Sequence, residues 1–190
     1  MQFRLTYQGP LPSGRHNKEH KHAIRRKIHM QLAELWRINH FLRDYIRIVG
    51  IREGLFAEHE RCGYRFVPLI GGRFKDIACR LDVLFLRRGA PGGLITKGKG
   101  GGDIDNRIKV LFDALRMPQE CSELKNMPPQ AGEDPFFCLM KDDDLVTEMH
   151  VTTDELLTPT GKDEHANDVH LVIHVRTLVT GAQGLGVFGA

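Results

Sequence analysis

Asp103-Ile104-Asp105-Asn106-Arg107-Ile108-Lys109-Val110-Leu111-Phe112-Asp113-Ala114-Leu115-Arg116 is the stretch that decides how this chain is read. Ile104, Ile108, Leu111, Phe112 and Leu115 recur at helical spacing and form one apolar stripe. Asp105, Lys109, Asp113 and Arg116 fall together on a flank of the same helix. The spacing predicts a helix over 103–116 with one face in a core and two carboxylates, Asp103 and Asp105, at its start.

Upstream of that helix, Gly89 to Gly102 holds seven glycines with Lys97 and Lys99 among them, a loop too glycine-rich to hold structure alone. Before it, Tyr64–Ile70 and Ile77–Leu86 read as strands, the second with Cys79, Leu81, Val83 and Phe85 on one face, and Gly71-Gly72 is expected to join them as a hairpin. Phe3–Tyr7 alternates as a short strand and ends at Gly9-Pro10-Leu11-Pro12-Ser13-Gly14. Ala23, Ile24, Ile28, Leu32, Leu35 and Trp36 predict a helix over 18–37, and Phe41–Glu58 a second helical stretch interrupted at Gly50 and Gly54.

Downstream, Pro118–Glu133 reads as a polar insertion, Phe136–Met140 and Leu145–Val151 as short strands on either side of Asp142-Asp143-Asp144, and Val169–Val175 as a strand. Gly181–Ala190 is a glycine-rich tail. The expected architecture is α/β, of the α+β kind: a single compact domain over 1–180, a small mixed sheet packed with helices, and insertions at about 89–102 and 118–133.

Length and composition agree with that architecture. The 190 residues suffice for one domain with a core, and 41% hydrophobic with 27% charged residues is an ordinary soluble balance. No apolar run is long enough to cross a bilayer, so no membrane partner is expected. Met1 to Tyr7 is too short and polar for a signal peptide, and a cytoplasmic location is expected. Cys62, Cys79, Cys121 and Cys138 show no close pair, which predicts free thiols rather than a disulfide framework. The net charge of +3 hides an asymmetry: residues 1–102 carry 20 Lys+Arg against 8 Asp+Glu, and residues 103–190 carry 7 against 16. The halves are therefore +12 (20 − 8) and −9 (7 − 16), a split that suits a grip on a polyanion in one part and on metal ions in the other.

Two carboxylates at i and i+2 at a helix start can converge on one point that the helix N–H groups also face. Oxygen ligands of this kind suit Mg²⁺, with Mn²⁺ as the alternative. A third carboxylate has to come from elsewhere, and Asp143, central in the aspartate run at a break between two strands, is the candidate, with its neighbours Asp142 and Asp144 open as the alternatives. Lys109, one turn beyond Asp105, is placed to neutralise charge on a phosphate. The same residues also read without chemistry: Asp103 as a helix cap, Asp105 and Asp113 as i±4 partners of Lys109, and the run as a solvated turn.

The ordered pattern Asp-x-Asp-Asn-x-x-Lys-x-x-x-Asp-Ala-Leu, here Asp103, Asp105, Asn106, Lys109 and Asp113-Ala114-Leu115, followed by Asp142-Asp143 with Val146, resembles the RusA family of Holliday-junction resolvases. The match covers residues 103–115 and 142–151, and Pro10-Leu11-Pro12-Ser13 after the first strand is similar to the family's opening. The resemblance implies a small α/β fold, a homodimer, and Mg²⁺-dependent endonucleolytic cleavage of branched DNA, the four-way junction above all, in recombination and repair. It implies that Asp103, Asp105 and Asp143 form the metal site and that Lys109 serves catalysis. A two-fold dimer suits a substrate with two-fold symmetry. The chain differs from compact members of the family in its length, in the glycine-rich loop before the motif and in the insertion at 118–133.

Candidate DNA contacts are Lys97 and Lys99 on the glycine-rich loop, Arg107 on the motif helix, and Arg25, Arg26 and Lys27 on the first helix, each of which also reads as an ordinary surface charge. Two rival functions remain open: a non-catalytic DNA-binding homologue, and a P-loop-like nucleotide-binding protein. For the latter, Gly93-x-x-x-x-Gly98-Lys99 is followed by Gly100 where the motif needs Ser or Thr. His16, His20 and His22 lack a zinc partner set, His170 and His174 share a face of the last strand, and His150 is the histidine nearest in sequence to the aspartate run.

Overall fold

The computed structural model of the chain describes residues 1–13, 18–49, 59–72, 76–88, 104–125, 127–157 and 167–181. Its elements run β1 (Gln2–Pro10), α1 (Lys18–Ile38), α2 (His40–Val49), β2 (His59–Arg61), β3 (Tyr64–Ile70), β4 (Ile77–Arg87), α3 (Ile104–Leu115), β5 (Phe136–Met140), β6 (Val146–Glu155) and β7 (Asp168–Val179). Short 3-10 turns at Cys121–Leu124 and Asp143–Leu145 stand before β5 and β6. This is the α+β class expected, but the strands divide into two mixed sheets rather than one.

The larger sheet has the order β1-β7-β4-β6, with β4 and β6 parallel and the other pairs antiparallel. One face alternates inward along β4 and β7, burying Cys79, Leu81, Val83, Phe85, Leu171, Ile173 and Val175. The smaller sheet has the order β2-β3-β5, with β2 antiparallel and β5 parallel to β3. β3 and β4 are therefore not the hairpin expected at Gly71-Gly72. Nearly every side chain of β3 is buried, so it needs cover on both faces and sits at the centre of its own sheet.

α1 packs on β5, α3 and β1 through Ile24, Ile28, Leu32 and Trp36, spaced one turn apart. Trp36 stacks on Phe137 of β5 with ring centroids 5.5 Å apart, and truncating a buried tryptophan of this kind costs about 3–5 kcal/mol. The same helix buries three polar residues, His22, Arg25 and His29. His29 accepts the Phe137 N–H on Nδ1 at 2.9 Å and stands 3.1 Å from the Gly132 carbonyl through Nε2, which makes it the neutral tautomer protonated on Nε2.

The 118–133 segment is bound into the fold. Leu124 lies in a second apolar cluster with Tyr64, Phe66, Met117, Phe136 and Cys138, and Glu133 is buried in an ion pair with Arg26 at 2.7 Å. Cys62 and Cys121 form a disulfide with Cα atoms 5.6 Å apart, contrary to the four free thiols expected; Cys79 and Cys138 are free and buried. The two bonded cysteines are 59 residues apart in sequence and meet only because the β2–β3 turn and the segment after α3 pack together. No helix among the described residues is long and apolar enough to cross a membrane.

Candidate metal and nucleic-acid site

α3 presents its sequence-marked residues as its periodicity requires. Ile108, Val110, Leu111, Ala114 and Leu115 are buried, while Asp105 in the first turn and Lys109 one turn later are exposed. A carboxylate in a first turn is favoured by the helix dipole. Among the described residues neither Asp105 nor Lys109 is in an ion pair, so each faces solvent with its charge uncommitted. Asp113 is different: Lys21 of α1 reaches it at 2.5 Å and Arg116 at 3.1 Å. Its partners are these two cations and not Lys109, and its role is to tie α3 to α1.

The C-terminus of α3 is closed by Arg25. Its guanidinium donates to the carbonyl oxygens of Asp113 at 2.6 Å and Arg116 at 3.2 Å, two of the acceptors a helix leaves unsatisfied at its end. Arg25 is thus an internal cap, 1% exposed, and not the DNA contact expected from its sequence neighbourhood. Arg107 is corrected likewise: it is 4% exposed and donates to the Leu11 carbonyl and to Asn167 Oδ1. Arg26 pairs with Glu133 and donates to the Tyr64 hydroxyl and Pro128 carbonyl. Lys27 is exposed, donates to the Gln8 carbonyl and lies over the Tyr7 ring. Lys97, Lys99 and Asp103 lie outside the described residues.

The aspartate run is the connection by which the chain leaves the smaller sheet at β5 and enters the larger one at β6. It sits at the C-terminal end of α3, because Arg116 bridges Met140 and the Met117 N–H donates to the Met140 carbonyl. Asp142 caps the 3-10 turn, accepting the Asp143 N–H on Oδ1 at 2.9 Å, and its Oδ2 accepts from the Gln119 side-chain amide at 3.2 Å. Both its oxygens are engaged by the protein. Asp143 and Asp144 are exposed. The Asp143 carboxyl is held above its usual range by partial burial, then by its hydrogen bond to Asp142 and the repulsion of that carboxylate, with Arg116 acting the other way. Two touching carboxylates of this kind readily share a proton, and a divalent cation can take that proton's place.

Leu145 anchors the turn beside Gly71, whose φ is +73° and whose missing side chain leaves the space that Leu145 fills. His150 stands four residues into β6, about 13 Å along the strand from Val146, exposed and in register with Asp82, whose carboxylate takes Arg176 at 3.0 Å and His174 at 3.8 Å. His22 is buried with Nε2 3.2 Å from the Tyr64 hydroxyl, a structural and not a metal-binding place.

Among the described residues no three His, Cys, Asp or Glu side chains come together as a metal-holding group. Asp103, the first of the three carboxylates expected, is not among them. The donors expected, Asp103, Asp105 and Asp143, are all carboxylate oxygens, a set that fits Mg²⁺ or Mn²⁺ and not a soft metal. Sequence reading missed Gln119 and the role of Arg116; the only signal was that Arg116 ends the helix quoted above. No protein-family model matches the chain, and neither the curated proteins nor the solved structures include a match to it.

Proposed function

We propose that this protein is a RusA-like endodeoxyribonuclease that uses Mg²⁺ to hydrolyse phosphodiesters in branched DNA, acting as a homodimer on four-way junctions. The observation that carries the reading is the division of labour among the acidic residues. Asp113 and Asp142 are engaged by protein donors, whereas Asp105 and Asp143, which the family pattern assigns to the metal, are exposed and in no ion pair among the described residues.

Asp103 and Asp105 would hold the cation at the start of α3, which when bound supplies Lewis-acid stabilisation of the phosphoryl charge; Asp143, which stands with the aspartate run by the other end of that helix, would join them only by a movement of the run. Lys109 brings a positive charge one turn from Asp105, where it offsets charge building on the phosphoryl oxygens. Arg116, set between Asp113, Glu123 and the field of Asp143, keeps the run anchored to the end of α3. The acidic half of the chain supplies the metal ligands, and the basic half supplies attraction for the DNA backbone.

The test is cleavage of labelled four-way junction, flap and duplex DNA with and without Mg²⁺, by the native chain and by Asp105→Asn and Asp143→Asn. Expected are Mg²⁺-dependent cuts in the junction, lost in both variants while junction binding is kept, since Asn preserves shape and removes the anionic ligand. Junction binding without cleavage under any divalent cation would identify a non-catalytic DNA-binding protein instead.

A further inference from the structure

The segment between α3 and β5 is fastened at two points, to the β2–β3 hairpin and to the start of the aspartate run. At one, the disulfide joins Cys121 to Cys62, which stands with Gly63 in the tight β2–β3 turn at φ of 57° and 77°, the two-residue hairpin geometry that needs both residues left-handed. Beside it Arg61 donates to the carbonyl oxygens of Pro118 at 2.8 Å and Gln119 at 2.6 Å. Glu123 accepts the Gln119 N–H at 2.9 Å and pairs with Arg116 at 3.3 Å. At the other point the Gln119 side-chain amide reaches Asp142 at 3.2 Å and the Lys141 carbonyl at 3.4 Å. The hairpin turn therefore holds the segment, and the segment holds the start of the aspartate run.

We propose that Met117–Leu124 is a strap that positions the aspartate run, that Gln119 is its positioning residue, and that the Cys62–Cys121 disulfide is the latch that keeps the strap in place. The consequence for cation binding rests on the nuclease reading above; the positioning itself does not. Cys121 is exposed and Cys62 half-buried, so the bond lies near the surface. Opening takes two electrons and two protons from a dithiol. Its thiolate attacks Cys121 and the S–S bond breaks, releasing Cys62 as a thiol. The reductant's second thiol then closes on the first, freeing Cys121 and leaving the reductant as a cyclic disulfide. Closure is the reverse exchange, with a low-molecular-weight disulfide as electron acceptor that departs as two thiols. In a reducing compartment such a pair works as a reversible latch, and in an oxidising one it stays shut.

The experiment compares the oxidised chain, the chain reduced with dithiothreitol, and oxidised Gln119→Ala. The backbone amides of Asp143 and Val146, bonded to Asp142 Oδ1 and the Asp143 carbonyl, report on the turn by hydrogen exchange. Reduction and Gln119→Ala are each expected to speed their exchange by about tenfold or more, the size of one lost hydrogen bond, with Leu171 and Ile173 of β7 unchanged in Gln119→Ala. The Mn²⁺ concentration for half-saturation should rise while the thermal midpoint of Gln119→Ala holds. A Cys62→Ser/Cys121→Ser double variant should match the reduced chain, since Cys79 and Cys138 are buried thiols. Unchanged exchange at Asp143 and Val146 overturns the proposal, and so does acceleration in Gln119→Ala shared equally by β7, which would make Gln119 a support of the whole fold and not of the run. If the oxidised chain binds no Mn²⁺ at all, the nuclease reading fails, and the exchange data still decide the strap.

Discussion

Leu145 occupies the space that a β-carbon on Gly71 would need, so the turn bearing the aspartate run is seated against a residue that has no side chain. Gly71 also has φ of +73°, where an L-residue is strained. Gly71→Ala is expected to destabilise the protein by about 2–4 kcal/mol through backbone strain and collision together. Gly132, at φ of +86° with nothing within 4 Å of a built β-carbon, is the control. Gly132→Ala should cost only the backbone part, about 1–2 kcal/mol. Urea unfolding of the two variants measures the difference, and equal losses would mean that Leu145 shifts freely.

Asp143 and its neighbours are separable by substitution. With Asp142 engaged by Gln119 and by the turn's own N–H, Asp143→Asn is expected to lower Mg²⁺-dependent cleavage by a factor of about a hundred or more. Asp144→Asn should leave it within a few-fold, because no donor among the described residues and no assigned family position marks that residue. Single-turnover cleavage of junction DNA under saturating Mg²⁺ ranks the two Asn variants, and a larger loss from Asp144 would move the ligand by one position.

Opening the disulfide should weaken the whole protein as well as the strap. A cross-link spanning 59 residues removes chain entropy from the unfolded state. The expected loss on reduction is about 3–4 kcal/mol, read as a lower urea midpoint with dithiothreitol. The double serine variant should fall to the same midpoint and then ignore the reductant.

Acid should destabilise the fold through His22. Burial, then the charges of Arg25 and Arg26, push its pKa down from 6.5 to about 4. Its Nδ1 has no acceptor, so a second ring proton would be buried unpaired. His29, depressed by burial, acts in the same direction. Because the folded pKa lies below the unfolded one, the unfolded chain binds the extra proton between pH 6.5 and about 4. Stability is therefore level above 6.5 and falls as the pH drops through that window. His22 alone should cost about 2 kcal/mol between pH 7 and 4.5. Urea unfolding across that range should show a shallower slope for His22→Gln, and an unchanged slope would remove His22 as the cause.

Much of the secondary structure was legible because apolar period reports burial directly. The helix expected over 18–37 is α1, Lys18–Ile38, and the strands at Tyr64–Ile70 and Phe136–Met140 are β3 and β5 to the residue. The exposure of Asp105 and Lys109 followed from the stripe on α3. What could not be read was which element covers which. Arg25 and Arg107 look like surface cations in sequence, yet their acceptors include carbonyl groups 88 and 96 residues away. Only folding puts those acceptors around them.

By itself the sequence determined the α+β class, the bounds of α1, β3, β4, α3 and β5, and the identity of the acidic residues and lysine proposed for metal and phosphate, because these depend on local spacing. Tertiary structure alone decided that the strands form two sheets, that Cys62 meets Cys121, and that Asp142 is bound by Gln119 with Asp143 exposed beside it. Those outcomes depend on contacts between segments far apart in the chain. Such contacts are chosen by how buried faces cover one another, and a periodic pattern shows that a face needs cover without saying what provides it.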